Sequence, residues 1–170
     1  ELLTQAGLHE IEAGAFVSPK WVPQMADSKS IFQELFRQQN QNVIYSALVP
    51  NEKGLEAALD SHVQKISVFT AASETFNQKN INASIKESIE RFVPVMKRAQ
   101  KEHIYVRGYV STAFVCPYEG IVQPEAVVDV IKMLVDLGVN EVSIGDTIGK
   151  ATPDMVLSLM ENLPVSYTHL

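Results

Sequence analysis

Cysteine is nearly missing from this chain: Cys116 stands alone among 170 residues. No internal disulfide can form, which points to a reducing compartment. Basic runs are missing as well. Lys and Arg number 14 against 20 Asp and Glu, a net charge of −6, so a nucleic-acid backbone is a poor partner. No stretch of about 18 apolar residues occurs, and no membrane-spanning helix is expected. Gly and Pro number eight each, which excludes collagen-like and low-complexity readings. The opening Glu1-Leu2-Leu3-Thr4-Gln5 has neither the basic start nor the apolar centre of a signal peptide. It reads as the end of a helix with sequence missing upstream. No Gly-x-Gly-x-x-Gly fingerprint is present. His9, His62, His103 and His169 form neither His-x-His nor His-x3-His, so no metal site is expected from this chain alone.

What is present is a globular composition, 46% hydrophobic and 20% charged, of a size for one domain. Runs rich in Val, Ile, Phe and Tyr predict strands at Glu10–Val17, Asn42–Val49, Lys65–Ala71, Ile104–Val115 and Glu141–Asp146, with Leu163–Tyr167 as the start of a sixth. Helices are expected between them. The clearest is Pro124–Leu137, where Glu125, Asp129, Lys132 and Asp136 form one wet stripe, Pro124 suits the first turn and Gly138 the stop. Ser84-Ile85-Lys86-Glu87 is a capping box opening another, in which Pro94 is expected to kink or split the helix. Thr152-Pro153 starts a third. Ser30–Gln38 and Lys53–Ser61 are weaker candidates. Regular alternation of strand and helix argues for a parallel sheet covered by helices. That sheet is either doubly wound or part of a (β/α)8 barrel. Polar residues inside strands, Glu12 and the one-face set Arg107, Tyr109 and Ser111, favour a barrel interior.

Active sites of parallel α/β proteins lie where strands end. Glu12 reads either as an acid, base or supporting carboxylate in a barrel lumen, or as a strand-edge carboxylate meeting solvent or a Lys. Asp146, in Gly145-Asp146-Thr147-Ile148-Gly149, reads either as a functional carboxylate at a strand tip or as the hydrogen-bonding Asp of a tight turn. Arg107 with Ser111 reads either as an anion-binding guanidinium or as half of a structural ion pair, with Glu12 or Asp146 as partner. Cys116 lacks a neighbouring base and reads as a small loop residue. Phe16–Met25 is a stiff, proline-bearing loop with Trp21 as an apolar anchor.

Several of these stretches, in order, resemble the 3-hydroxy-3-methylglutaryl-CoA lyase family. They are Phe16–Met25 with Asp27, Lys79-Asn80-Ile81-Asn82, Val106–Ser111, Cys116-Pro117-Tyr118-Glu119-Gly120, and Gly145–Gly149 with Thr152-Pro153. The resemblance runs to about Pro164. It implies an α/β fold, a partial (β/α)8 TIM barrel holding strands two to six plus a stub of the seventh. It implies residues 1–165 as the lyase domain and 166–170 as a divergent tail. It also implies metal-assisted retro-Claisen cleavage of 3-hydroxy-3-methylglutaryl-CoA to acetyl-CoA and acetoacetate, the chemistry of leucine degradation and ketone-body formation. Glu12, Asp146 and Arg107 then correspond to catalytic residues. Lys79, Asn80, Ser111 and Thr147 correspond to substrate-binding ones. The implied cofactor is Mg2+ or Mn2+. Its ligands in the family lie on an Arg-Asp strand end and a His-x-His-Asp strand end, which this sequence does not carry, so the chain alone is expected to be inactive. The implied partners are an acyl-CoA substrate and a second copy of the parent, with no nucleic acid and no membrane. The implied compartment is bacterial cytoplasm or mitochondrial matrix. Rival readings are a condensing synthase of the same superfamily, of homocitrate or isopropylmalate type, and a non-catalytic α/β binding module.

Overall fold

In the computed structural model, residues 2–38 and 42–164 are described. The chain divides into two compact units. The first holds residues up to Val68 together with Arg91–Arg107; the second holds Phe69–Glu90 and the chain from Gly108 onward.

The first unit contains α1 (Leu2–Gln5), β1 (Glu10–Ala15), α2 (Ser28–Gln38), β2 (Ile44–Leu48), α3 (Glu52–Leu59) and the opening of β3 (Lys65–Ala71). It also holds the later part of α5 (Ile85–Lys101) and the opening of β4 (Tyr105–Ser111). β1 pairs with β2 and β2 with β3, both in parallel. One face of these strands is apolar. Ala47, Val49, Ile66, Val68 and Val106 are almost wholly buried, as are Phe32, Leu55, Ala58, Val95 and Ala99 of the helices. This alternation is what a half-polar strand must show. A β-bulge sets Glu12 opposite Ser46 but Gly14 opposite Ala47. The extra residue turns Gly14 toward α2, where a Cβ would stand 2.8 Å from Ser28 Oγ. Gly54 allows a closer approach still: its Cβ would fall 2.5 Å from the Phe16 carbonyl oxygen, so α3 can sit on the loop after β1 only with glycine there.

The second unit contains the ends of β3 and β4, α4 (Glu74–Ile81), the start of α5, a hairpin of β5 (Val115–Cys116) and β6 (Gly120–Ile121), α6 (Pro124–Leu137), β7 (Glu141–Ile144) and α7 (Pro153–Asn162). Its core is Val110, Val127, Val130, Ile131, Leu134 and Leu159. The strand order of the five-stranded sheet is β1-β2-β3-β4-β7. Helix ends follow the sequence signals. The capping box is reciprocal: Ser84 N–H donates to Glu87 Oε2 at 2.7 Å and Glu87 N–H to Ser84 Oγ at 3.1 Å. Gly138 takes φ +96° at the end of α6. Thr152 Oγ1 accepts from Met155 N–H.

Three expectations need correction, that Pro94 splits its helix, that Ile104–Val115 is one strand and that Trp21 anchors its loop, while the sixth strand falls from residue 165 outside the described residues. Pro94 lies inside α5, which runs as one helix of 17 residues. Burial of Phe92, Val95, Met96 and Ala99 along one face outweighs the single backbone bond that proline removes. The run Ile104–Val115 is not one strand. Thr112, with φ +53°, ends β4, and the chain turns into the hairpin that holds Cys116. Trp21 is 85% exposed and anchors nothing. The buried anchor is Phe16, packed on Phe32 at 5.7 Å between ring centres. Leu163 caps α7, and the rest of the expected sixth strand lies outside the described residues, as do the tail and His169.

The loop after β1 is stapled by Ser28 in place of the tryptophan. Ser28 Oγ accepts from Ala15 N–H at 3.1 Å and donates to the Met25 carbonyl at 2.9 Å. Ser28→Ala leaves a buried N–H without its partner and is expected to cost about 2 kcal/mol, read as a lower urea midpoint; an unchanged midpoint would remove Ser28 as the staple.

Candidate functional site

The polar face of the first unit is built by two acidic side chains of β1 that reach past β2. Glu10 Oε2 meets Lys65 Nζ at 2.9 Å, and Glu12 Oε2 accepts from Ser67 Oγ at 2.7 Å. Glu10 Oε1 also meets Arg107 Nη2 at 2.8 Å. Lys65 is 4% exposed, with its ammonium 4.7 Å from the centre of the Tyr105 ring. Glu12 is exposed and Arg107 half-buried. One carboxylate paired with Arg107 is Glu10, a partner that the sequence, which pointed to Glu12 or Asp146, did not reveal. Glu10 and Lys65 escaped the sequence reading, although the two-residue period places Glu10 beside Glu12 and Lys65 beside Ser67.

In the second unit, the turn after β7 is tied to the end of β4. Gly145 N–H donates to the Val110 carbonyl at 2.9 Å, Ala113 N–H to the Gly145 carbonyl at 3.1 Å, and Thr112 N–H to Thr147 Oγ1 at 2.7 Å. Thr112 is fully buried in the left-handed region, a strained place for a β-branched residue. The bond from Thr147 holds it there. Asp146 spends its carboxylate on its own turn, accepting from Lys150 N–H at 3.0 Å on one oxygen and Ala151 N–H at 2.9 Å on the other. Ser111 ends β4, and its carbonyl accepts from Ala72 N–H.

The hairpin is fastened to α4, a helix the sequence did not reveal. Ser73 caps it, accepting from Phe76 N–H, and also bonds Cys116 Sγ at 3.0 Å. Glu119 Oε1 accepts from Thr75 N–H at 2.7 Å. Lys79 stands over the Tyr118 ring at 4.8 Å. Asn80 is exposed beside it. Cys116 is buried in β5, a position with no free approach for a nucleophile.

No group of three or more His, Cys, Asp or Glu side chains that could hold a metal ion occurs among the described residues. Asp146, engaged by its turn, joins no such cluster among the described residues.

An HMGL-like family model matches residues 1–168. The chain belongs to the HMGL-like family. Relatives within it are a 3-hydroxy-3-isohexenylglutaryl-CoA/hydroxymethylglutaryl-CoA lyase of Pseudomonas aeruginosa, 52% identical over 94% of this chain and 52% of the relative, and the hydroxymethylglutaryl-CoA lyase of Pseudomonas mevalonii, 51% identical over 96% and 55%. The HMG-CoA lyase structure from Brucella melitensis superposes with a TM-score of 0.89 at 49% identity, covering 94% of this chain and 56% of that one. These neighbours are TIM barrels, which settles the choice between barrel and doubly wound sheet. The chain spans about half the length of the curated relatives it matches. No helix among the described residues is long and apolar enough to cross a membrane.

Two outcomes follow from this geometry. Glu10 serves two cations, so Glu10→Gln weakens the pairing of both, whereas Lys65→Met leaves Glu10 with Arg107. The Glu10 change is expected to cost about 3 kcal/mol and clearly more than the Lys65 change in urea unfolding; equal costs would refute the shared role. The second concerns pH. The Thr75 hydroxyl and N–H, with help from Ser73 and against slight desolvation, hold the Glu119 carboxyl below its ordinary value of 4.5. A depressed value means that its stabilisation is full above that pH and is lost as the carboxyl protonates below it. The midpoint difference between wild type and Glu119→Gln should be small, salt-sensitive, full above about pH 4.5 and fading as the pH falls below it; a difference growing in acid would contradict the cap.

Proposed function

We propose that this chain carries part of the active-site face of a carbon–carbon lyase acting on 3-hydroxy-3-methylglutaryl-CoA or a near homologue with a longer 3-substituent. The observation that carries the reading is about 50% identity to lyases of that name over 94–96% of the chain. The placement of Glu12 on the polar strand face and of Asp146 just past β7 agrees with it. A structure described as an HMG-CoA lyase from Acinetobacter baumannii in complex with coenzyme A and 3-methylmalate, 28% identical with a TM-score of 0.86, supports an acyl-CoA as the substrate class.

In this reading a carboxylate, Glu12 or Asp146, takes the proton of the C3 hydroxyl. The C2–C3 bond breaks as the C3 carbonyl forms, and acetoacetate leaves. The electron pair passes to the acetyl-CoA enolate, which takes a proton from an acid. Arg107 supplies positive charge beside developing negative oxygen, its direction fixed by Glu10. Lys79 and Asn80 on α4 bind the acyl-CoA in this reading, and Ser111 and Thr147 bind the acyl group. A divalent cation, when bound, would polarise the substrate oxygens. The family takes its ligands from Arg-Asp and His-x-His-Asp strand ends, and neither motif occurs in these 170 residues. The chain by itself is accordingly inactive, and residues 1–165 are the lyase part. The whole protein works as a homodimer in bacterial cytoplasm or mitochondrial matrix.

The test is a chimera in which residues 2–164 replace the matching segment of the Pseudomonas aeruginosa lyase. The chimera should release acetyl-CoA from 3-hydroxy-3-methylglutaryl-CoA with Mg2+ or Mn2+, and Glu12→Ala or Asp146→Ala should lower kcat about 100-fold or more. The isolated chain should release none. Activity in the isolated chain, or full activity in both variants, would sink the proposal.

A further inference from the structure

A glutamate side chain has several rotatable bonds, and a carboxylate that must move a proton is useful in only one direction. Glu12 is exposed in the middle of β1, where nothing about its own strand selects that direction. The selection comes from β3. Glu12 Oε2 accepts from Ser67 Oγ at 2.7 Å, across β2 and about 10 Å of sheet at the usual strand spacing. On β2 the register partner of Glu12 is Ser46, a side chain small enough to be passed.

Ser67 is itself firmly held. It is 1% exposed, it stands in register with Leu48, and its carbonyl accepts from Val49 N–H at 2.8 Å. Its chain neighbours Ile66 and Val68 are buried on the apolar face. A strand of a parallel sheet ordinarily carries Val or Ile at such a buried position, and a buried hydroxyl is unfavourable unless it is bonded. Packing alone therefore does not account for serine here, whereas the bond to Glu12 does. A hydroxyl also suits the task. It supplies one directed donor and adds no formal charge of its own.

We propose that Ser67 is a positioning residue for the lyase reaction, holding the Glu12 carboxylate in the direction from which it serves the proton transfer. This rests on the lyase reading above and adds to it a residue of β3 that acts through Glu12. Asp146, the other carboxylate of that reading, takes its direction from its own turn. Glu12 takes its direction from a strand that is not its neighbour.

A double-mutant cycle in the chimera tests it. Ser67→Ala should lower kcat about tenfold and leave KM within about twofold. In a Glu12→Ala background the same change should leave the residual kcat where it was, since no carboxylate remains to be directed. An unchanged kcat in the single variant, or an equal further loss in the double variant, would overturn the proposal and leave the lyase reading standing. An inactive chimera, or full activity after Glu12→Ala, would remove the lyase reading and this proposal with it. A second measurement needs neither activity nor a variant. In the unmutated chain the Hα–Hβ and Hβ–Hγ couplings of Glu12 should report a single rotamer, and averaged couplings would overturn the proposal even if Ser67→Ala failed to fold.

Discussion

Two glutamates that leave β1 and cross β2 to reach β3 set the terms for the first unit. A carboxylate drawn onto a sheet must find cations or hydroxyls within reach. Glu10 finds Lys65 and Arg107, and Glu12 finds Ser67. Each crossing binds strands that are not neighbours, so the polar face is tied laterally as the backbone ladder ties it locally. The cost falls on β2, which must offer serine where a parallel strand would ordinarily place Val or Ile. The opposite face keeps the ordinary apolar composition. Charge on one face and packing on the other are therefore two results of a single alternation.

The second unit is governed by backbone geometry more than by charge. Thr112 stops β4 by entering a conformation unfavourable to its own side chain, and the Thr147 hydroxyl accepts its N–H. That bond brings the turn after β7 against the end of β4, with Gly145 bonded on both sides of its peptide plane. The position of Asp146 is a consequence of this clasp. Its carboxylate closes the turn further by accepting two N–H groups, one on each oxygen. The reading of Asp146 as the hydrogen-bonding residue of a tight turn is met by these two bonds.

Much of this was legible in the sequence. Lys65–Ala71 and Pro124–Leu137 coincide with β3 and α6, because each has an unbroken hydrophobic pattern and a clear stop. The capping box and the Thr152-Pro153 start were equally plain, since caps are local. α4 was not, for a physical reason: its only fully buried residue is Asn77, so it has no apolar period to read. Its sequence signals are the Ser73 cap and the left-handed Asn82, which also occur in loops. The face of each strand was legible and its register was not. Alternation puts Glu10 and Glu12 on one side, but which residues of β3 and β4 lie opposite depends on pairing that no single strand encodes. Hence the Glu10 partner of Arg107 is not legible, while the need of Arg107 for a carboxylate is. The expectation that Trp21 anchors its loop failed because size was taken for burial. Phe16, next to the strand, was nearer the core.

The charge balance of the polar face also bears on what these residues do. Sites that hold a hard dication gather excess negative charge from several oxygens. Here two carboxylates face two cations, and the formal sum is zero. Lys65 and Arg107 engage the oxygens of Glu10, and no three-donor cluster forms among the described residues. A neutral, cross-braced face is suited to a different task, which is to fix the direction of Glu12 and Arg107 while leaving them accessible. Positioning of this kind is costly to build at the moment of reaction and cheap if it is built on folding. Family membership supplies the chemistry to be expected of the whole protein. On the proposed reading, this portion of it holds Glu12 and Arg107 in fixed directions through Ser67 and Glu10.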